Sequence, residues 1–297
     1  MNRDWEQTFR DWSKPSSNTE TEKCERAERM VRLAISNSRK LSQRNLSILT
    51  QGSYHNNTNV KEDSDVDIRV CCHDLIMTDY SFAPNLNNSL AGLIPSSYNY
   101  DQFKDEVGEA LVEQFGILGV NRGNKAFDVH ANTYRIDADV IPTMEYRLYN
   151  PNGTYHQGTY IITNDGKHIF NYPNQHYTNG ITKNKQTNNR FKFITRAMKR
   201  LRNEMVENGN IYAKSIPSYL IECLIFNVPN NMLMSNLFKD AVKSSILYLW
   251  GMTEDFNKCK DWFEVNNIKY LFHSTQKWTF EEVNNFMVAA WHYIDSN

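Results

Sequence analysis

The chain has 297 residues, 40% of them hydrophobic, which suffices for a sizeable core in one large domain or two closely packed ones. Its 33 basic and 34 acidic residues nearly balance, so the surface as a whole carries no field that would hold a long DNA duplex. Because it lacks a long apolar run and its N-terminal residues are polar and charged, we expect a soluble, cytoplasmic protein with no membrane partner.

The first quarter of the chain predicts one helix and two strands. The helix begins near the capping box Thr19-x-x-Glu22 and carries an apolar stripe at helical spacing. That stripe consists of Cys24, Ala27, Val31, Ala34 and Ile35. Residues 47–50 predict a short strand, and residues 64–71 predict a second strand whose apolar and polar positions alternate. One face of the second strand holds Val66, Ile68 and Val70, and the other holds Asp65, Asp67 and Arg69.

A polar loop at residues 80–98 leads to a helix that begins at about Asp101. Residues 125–130 and 133–141 then predict a hairpin. We expect the hairpin to end at Pro142, because proline cannot donate a hydrogen bond to a strand ladder. The sheet is therefore predicted in the first half of the chain.

Residues 150–188 are polar and rich in Asn, Gly and Tyr, with a turn signal at Asp165-Gly166. We interpret this segment as the crossing between two halves of different structure. The pattern predicts an α+β fold with domains at residues 1–160 and 161–297.

The second domain is predicted to be helical. Its first stripe consists of Phe191, Ile194, Met198, Leu201 and Met205. Pro217 opens a further helix over residues 218–226, and the last helix begins at the capping box Thr279-x-x-Glu282.

The most informative pattern is a Gly52-Ser53 turn followed by Asp65 and Asp67 on the alternating strand. Two carboxylates two positions apart on a strand share a face, where they can hold a hard divalent cation such as Mg²⁺. The Gly-Ser turn offers backbone N–H groups and a hydroxyl to the terminal phosphates of a triphosphate. Either element alone is a common surface pattern, and their combination indicates a phosphate and metal site.

A third carboxylate is available on a later strand, where Asp137 and Asp139 alternate onto one face. We choose Asp139. Three carboxylates suit phosphoryl transfer with two metal ions, Mg²⁺ or alternatively Mn²⁺, which stabilise the attacking and leaving oxygens. In this scheme Asp139 lies near the attacking hydroxyl and helps to remove its proton.

Two other features could bind nucleotide. Lys192, Arg196 and Lys199 fall on one face of a helix, where they indicate either a phosphate-binding face or an ordinary solvated one. Ser218-Tyr219 opens the next helix, so its hydroxyl could meet phosphate and its ring could stack on a base, although a tyrosine there is also common in a core.

Other site classes find no support in the sequence. The five cysteines are scattered without paired spacing, which favours reduced thiols over a zinc site or a disulfide framework. The eight histidines form no metal motif, and a P-loop or a G-x-S-x-G nucleophile motif is not found. We interpret His176 as a hydrogen-bonded structural histidine.

The order of Gly52-Ser53, Asp65-x-Asp67, Asp139-Val-Ile-Pro and Ser218-Tyr219 resembles the cGAS/DncV-like nucleotidyltransferases of bacterial anti-phage (CBASS) systems. These are relatives of oligoadenylate synthase and cyclic GMP-AMP synthase, in the DNA polymerase β superfamily. The likeness also extends through residues 140–147, 171–176 and 191–205, and so covers most of the chain.

The resemblance implies a bilobed polymerase β-like core with an α-helical C-terminal lobe like that of oligoadenylate synthase, and a triphosphate in the cleft between them. It assigns Lys199 to the triphosphate, with Lys192 and Arg196 as competitors, Ser218 to a phosphate and Tyr219 to base stacking. Its activity would be synthesis of a cyclic di- or oligonucleotide second messenger from nucleoside triphosphates, with release of pyrophosphate. Regulatory partner proteins of CBASS systems are a family expectation, whereas activation by duplex DNA is not implied, because the zinc-binding insertion of the animal enzyme is absent.

Two alternatives stay open at this point. One is nucleotidyl transfer to an RNA 3′ end, a small molecule or a protein hydroxyl, for which the metal site would look identical. The other is an inactive nucleotide-binding or interaction module that has retained the carboxylates. The bases, the linkage, the ring size, the activating signal and the oligomeric state are not determined by the sequence.

Overall fold

The computed structural model describes residues 3–60 and 65–296 and divides the chain into two compact units. The sheet unit comprises Ser17–Tyr54 and Asp63–Pro173, and the helical unit comprises Met1–Ser16, His55–Glu62 and Asn174–Asn297. The main boundary lies at residues 173 and 174, whereas the predicted boundary at 160 and 161 falls within a strand.

The sheet unit combines a mixed β-sheet with two long helices. Its helices are α2 (Asn18–Asn37), the single turn α3 (Gly52–His55) and α4 (Tyr100–Phe115). Its strands are β1 (Leu46–Gln51), β2 (Val66–Asp79), β3 (Val120–Arg122), β4 (Phe127–Val129), β5 (Ala138–Tyr149), β6 (Tyr155–Ile162) and β7 (His168–Asn171). In the described residues the strand order is β1-β2-β5-β4-β3, while β6 pairs with the later part of β5 and β7 pairs with β6.

The predicted alternation of β2 is confirmed. Val66, Ile68 and Val70 are fully buried in a core that also holds the apolar stripe of α2 and the inner side of α4. Asp67 therefore lies on the opposite face of the sheet, because successive side chains of a strand point to opposite sides. β2 pairs with β5 in parallel, and the other neighbouring strands pair antiparallel.

The expected end of the hairpin at Pro142 is wrong, because β5 continues through this residue to Tyr149. Residues 138–140 pair with β4 and residues 144–149 pair with β6, so Pro142 lies in the gap between two partners on that side. A missing N–H costs no ladder bond in such a gap. The sheet accordingly extends to Asn171, beyond the predicted first half.

The helical unit begins with α1 (Trp5–Trp12), which the sequence analysis missed. Its later helices are α5 (Pro173–Gln186), α6 (Arg190–Glu207), α7 (Ile211–Lys214), α8 (Ser218–Asn227), α9 (Asn230–Leu233), α10 (Phe238–Thr253), α11 (Phe256–Cys259) and α12 (Phe280–Ser296). The apolar stripe of α6 is fully buried in the core of this unit. The capping box of α12 is confirmed, since Thr279 and Glu282 exchange hydrogen bonds between side chain and backbone.

Two further expectations need correction. α5 lies inside the segment interpreted as an irregular crossing, and its helix begins at a proline, which is favoured at the first helical position. α2 begins two residues earlier than predicted, since Ser17 rather than Thr19 caps it by accepting a hydrogen bond from the backbone of Glu20. The hairpin of β6 and β7 around Asp165-Gly166 is as predicted.

The five cysteines are all buried and free. Among the described residues, no helix is both long enough and apolar enough to cross a membrane.

Candidate active site

The centre of the candidate site is a pair of aspartates on adjacent strands. Asp67 of β2 and Asp139 of β5 are partners in the parallel register. Neighbouring strands lie about 5 Å apart, and paired residues point to the same face. The sequence prediction that these two carboxylates share one surface is therefore consistent with the sheet register.

A third carboxylate extends this row. Asp128 of β4 is the antiparallel partner of Asp139, and its carboxyl group lies close enough to raise the pKa of Asp139. Ionised carboxylates at neighbouring positions repel one another, so the row is crowded with negative charge. The order across three strands is Asp67, Asp139 and Asp128.

The pKa values reflect burial and crowding. Burial first, then the hydrogen bond to Asp128 and the charge of Asp67, raise the pKa of Asp139 to about 6. Burial also raises the pKa of Asp67, the charge of Asp65 raises it further, and Lys125 opposes both effects. A bound cation would relieve this repulsion, because opposite charge favours the ionised form.

Gly52 contacts the same carboxylate. Its φ of +69° lies in the left-handed region, which side chains other than glycine rarely adopt. A Cβ atom on Gly52 would overlap Oδ2 of Asp67, so the glycine lets the backbone approach the carboxylate. Ser53 follows in the single turn α3, and the turn therefore lies beside the aspartate row, as expected from the sequence.

Asp65 lies just before β2 and is exposed. It is close enough to Asp67 for their charges to repel. Within residues 3–60 and 65–296, however, no group of three or more His, Cys, Asp or Glu side chains is arranged to hold a metal ion by itself. The assignment of Asp65 as a third metal ligand therefore stays a prediction.

Asp139 lies on β5 and Asp137 just before it, and the two carboxyl groups have different partners. The carboxylate of Asp137 accepts a hydrogen bond from the backbone of Ala131 at 2.6 Å, which fixes the preceding loop. Asp139 faces the other carboxylates instead.

Two charged residues were not expected from the sequence, Asp128 in the row and Lys125 near it. The alternation of Phe127 and Val129, both buried, places Asp128 on the polar face of a strand, and this signal could have found it. Lys125, on the turn before β4, influences both Asp67 and Asp139 by charge, and sequence spacing gives no comparable signal for it.

The basic face of α6 is not a solvated surface. Arg196 and Lys199 are each only 1% exposed. Arg196 donates to the backbone carbonyls of Ser13 and Asn57 at 2.7 and 2.5 Å, and so fixes two segments to the helix. Lys192 is partly buried, and its pKa is lowered by burial.

Lys199 belongs to a buried polar cluster in the helical unit. Its ammonium donates to the hydroxyl of Thr58 at 3.3 Å and lies 3.5 Å from the carboxylate of Glu222. Glu222 also accepts hydrogen bonds from Thr58 at 2.6 Å and interacts with Nε2 of His176 at 2.9 Å. The predicted hydrogen bonding of His176 is confirmed. We call the four residues Thr58, His176, Lys199 and Glu222 the Glu222 cluster.

Ser218 and Tyr219 form the first turn of α8, as predicted. The Tyr219 hydroxyl donates to the buried Glu264 at 2.9 Å, and its ring centre lies 5.6 Å from that of His176 and 6.2 Å from that of Trp278. The residue is nevertheless 39% exposed, so part of the ring remains available to a ligand.

Known proteins resemble this chain in sequence and in structure. Residues 178–295 match the model of the cGAS/DncV-like nucleotidyltransferase C-terminal helical domain. The chain is 51% identical to the cyclic dipyrimidine nucleotide synthase CdnE of Legionella pneumophila over 100% of both chains, and 42% identical to that of Cecembia lonarensis over 96% of each. It is also similar to the solved structure of the Elizabethkingia meningoseptica CdnE cyclic dinucleotide synthase with GTP and Apcpp, with a TM-score of 0.82, 32% identity and coverage of 98% of this chain and 99% of that chain.

Proposed function

The chain belongs to the cGAS/DncV-like nucleotidyltransferases, and from this premise we propose that it condenses two pyrimidine nucleoside triphosphates into a cyclic dipyrimidine dinucleotide. The predicted family, the α+β fold with a helical C-terminal part and the nucleotidyltransferase class are confirmed. The pyrimidine assignment is supported by the names of the relatives at 51% and 42% identity, whereas a relative at 33% identity is a cyclic dipurine nucleotide synthase.

The observation that carries the proposal is the register of Asp67 and Asp139 beside Gly52. The family is generally dependent on divalent metal. The donors at this site are oxygen atoms of crowded carboxylates, which suit Mg²⁺ or Mn²⁺. Because Mg²⁺ is usually held by one or two carboxylates together with substrate phosphates, the small set of protein ligands agrees with binding of a metal–triphosphate complex. We propose Asp67 and Asp139 as the central ligands and Asp65 as an additional one in a site for two ions.

The reaction joins a ribose hydroxyl of one nucleotide to the α-phosphorus of the other. The new P–O bond forms as the bond between the α- and β-phosphates breaks, and pyrophosphate leaves. A second transfer of the same kind closes the ring and releases a second pyrophosphate. A bound divalent metal would neutralise the charge of the triphosphate and activate the attacking hydroxyl.

The protein groups position the substrates and move one proton. Asp139 accepts the proton of the attacking hydroxyl, and the backbone of Gly52 and the hydroxyl of Ser53 hold the terminal phosphates. For the helical unit, we carry over the roles that the family resemblance implies: Lys199 for the triphosphate, Ser218 for a phosphate and Tyr219 for base stacking. Lys199 is paired with Glu222 in the structure, and we propose that bound nucleotide shares its ammonium with this carboxylate.

The test is incubation of the purified protein with each nucleoside triphosphate and with every pair, with Mg²⁺ or Mn²⁺, followed by mass spectrometry. We expect a small, phosphatase-resistant cyclic product from UTP, CTP or both, and none from the Asp67→Asn variant. A product that forms only from purines contradicts the pyrimidine assignment. Label that appears only on an added RNA, small molecule or protein supports the alternative transferase function.

The cellular role follows from the family. We propose that the product is a second messenger in CBASS anti-phage defence, and that regulatory partner proteins of such a system control the enzyme. We expect it to act in the cytoplasm, where nucleoside triphosphates are abundant. Infection of cells that carry the wild-type gene or the Asp67→Asn variant tests this role, since only the wild type should produce the cyclic product and protect.

A further inference from the structure

The Glu222 cluster joins segments that are far apart in sequence. Glu222 is 3% exposed and lies on α8, four residues after Ser218, so both side chains project from the same side of the first turns of this helix. Its carboxylate contacts Thr58, His176 of α5 and Lys199 of α6. A single buried anion thus connects three segments to the start of α8.

The polar groups of the Glu222 cluster are buried and have partners within the cluster. Thr58 is fully buried, Lys199 is 1% exposed and His176 is 6% exposed, so each contact is shielded from water. Hydrogen bonds to charged groups are stronger in such surroundings than on a surface, and the loss of one partner leaves the others uncompensated. This environment holds the side chains in one arrangement.

His176 is linked to two of the three nucleotide-binding residues proposed in this unit, to Tyr219 directly and to Lys199 through Glu222. Through Glu222 it connects to Lys199, and its ring packs at a centroid distance of 5.6 Å and an angle of 32° against Tyr219. Tyr219 is confined on another side by Trp278 and tied through its hydroxyl to Glu264. The histidine therefore touches the ring proposed to stack on a base and the carboxylate paired with the lysine proposed to meet the triphosphate.

We propose that His176 is a positioning residue, which acts through Glu222 and Tyr219 to set the places of the phosphate-binding Lys199 and the base-stacking ring. This inference rests on the proposed function, because the roles of Lys199 and Tyr219 come from it. His176 touches no substrate itself. Its loss shifts groups that bind nucleotide while the aspartate row in the sheet unit stays intact.

The test compares His176→Ala, His176→Gln and Thr58→Val with the wild type, using KM, kcat, the thermal unfolding midpoint and the Kd for a non-hydrolysable UTP analogue with Mg²⁺. We expect His176→Ala to raise KM and Kd on the order of 10- to 100-fold with a smaller change in kcat, since small misplacements of positioning groups have effects of this size. Glutamine can still donate to Glu222, so His176→Gln should recover part of the affinity. If the alanine variant does not fold, the glutamine and Thr58→Val variants carry the test.

The chain offers a matched control at His73. This histidine of β2 also pairs with a glutamate, Glu145, at 2.6 Å, and it hydrogen-bonds to Ser47 at 2.8 Å, all within the sheet unit. His73→Ala removes a comparable His–Glu pair and should leave KM and Kd unchanged. Unchanged affinity in folded His176→Ala, or an equal loss in His73→Ala, overturns the inference.

The two proposals fail in different ways. A wild-type protein that binds the UTP analogue but forms no cyclic product contradicts the proposed function, and the Kd values of the variants still decide the role of His176. A wild-type protein that neither binds the analogue nor reacts overturns both.

Discussion

The backbone of Gly52 packs directly against the carboxylate of Asp67, leaving no room for a side chain at residue 52. Gly52 also has φ +69°, so substitution by alanine adds backbone strain to a steric overlap with Oδ2 of Asp67. We expect Gly52→Ala to lower product formation at least about tenfold, since displacement of a catalytic group by 1 Å can cost ~100-fold.

Gly153 provides the control for Gly52, because it has φ +82° and open space where a Cβ would lie. Gly153→Ala should lower the free energy of unfolding by about 1–2 kcal/mol, because alanine is strained in the left-handed conformation. Its kcat/KM should equal that of the wild type. Chemical unfolding and initial rates measure both variants. Equal catalytic losses in the two would show that strain rather than contact with Asp67 is responsible.

The Asp139→Asn substitution tests the aspartate row. It removes a proposed metal ligand and should reduce kcat on the order of 100-fold or more, since the loss of a single group that stabilises the transition state has effects of this size. It should also diminish the rise in thermal unfolding midpoint that we expect Mn²⁺ to give the wild type, because a ligand stabilises the folded state more when it binds more tightly.

Asp137→Asn is the matched control, two residues earlier and just before β5. Its oxygen accepts from the backbone of Ala131, and the asparagine amide oxygen can replace that acceptor. Activity and metal response near those of the wild type are expected. A stronger effect at residue 137 than at residue 139 would reverse the assignment made from the sequence.

The role of Tyr219 can be divided between its ring and its hydroxyl. Tyr219→Phe keeps the ring and loses only the hydrogen bond to Glu264, so KM should stay within about threefold of wild type. Tyr219→Ala removes the stacking surface, worth about 1–3 kcal/mol per base, and should raise KM roughly 5- to 150-fold. If alanine and phenylalanine behave alike in steady-state kinetics, the ring does not stack on a base.

The buried charge of Glu222 predicts a dependence of stability on pH. Although burial opposes ionisation, Lys199, His176 and Thr58 lower the pKa of Glu222 to about 2 from an ordinary value of 4.5. The ionised form therefore stabilises the fold above pH 4.5, and this contribution is lost as the pH falls toward 2.

Glu222→Gln removes that ionised form and leaves the ammonium of Lys199 without its buried counterion. At pH 7 the variant should lose about 3–5 kcal/mol of unfolding free energy. The difference from the wild type should shrink between pH 4.5 and pH 2, as measured by denaturant unfolding at each pH. A difference that is constant over this range would mean that the charge of Glu222 contributes nothing.

Periodic patterns predicted most of the elements that surround the candidate site. The alternation of β2 and the stripe of α6 follow directly from which side chains must be buried. The position of Pro142 inside β5 could not be foreseen, because it depends on where β4 stops and β6 begins. Alternation could place Asp128 on the polar face of β4, but its position beside Asp139 depends on the pairing of β4 with β5, and the two paired residues are 11 apart in sequence.

The local sequence pattern also could not predict the burial and the partners of the basic residues on α6. Lys192, Arg196 and Lys199 share a helical face by spacing, yet Arg196 and Lys199 are buried because distant segments supply carbonyl, hydroxyl and carboxylate partners. The carbonyl and hydroxyl partners lie more than 100 residues away in sequence. α1 was missed for a related reason, since its two buried aromatic residues, Trp5 and Phe9, are too few to give a periodic signal.

Asp67, Asp139 and Asp128 are held at ladder positions of three adjoining strands, so their spacing is set by backbone pairing rather than by loops. Long connections such as residues 80–98 can therefore change in length and composition without disturbing the chemistry. Related enzymes can in this way differ in the bases that they select and in the signals that activate them, while the spacing of these aspartates stays the same.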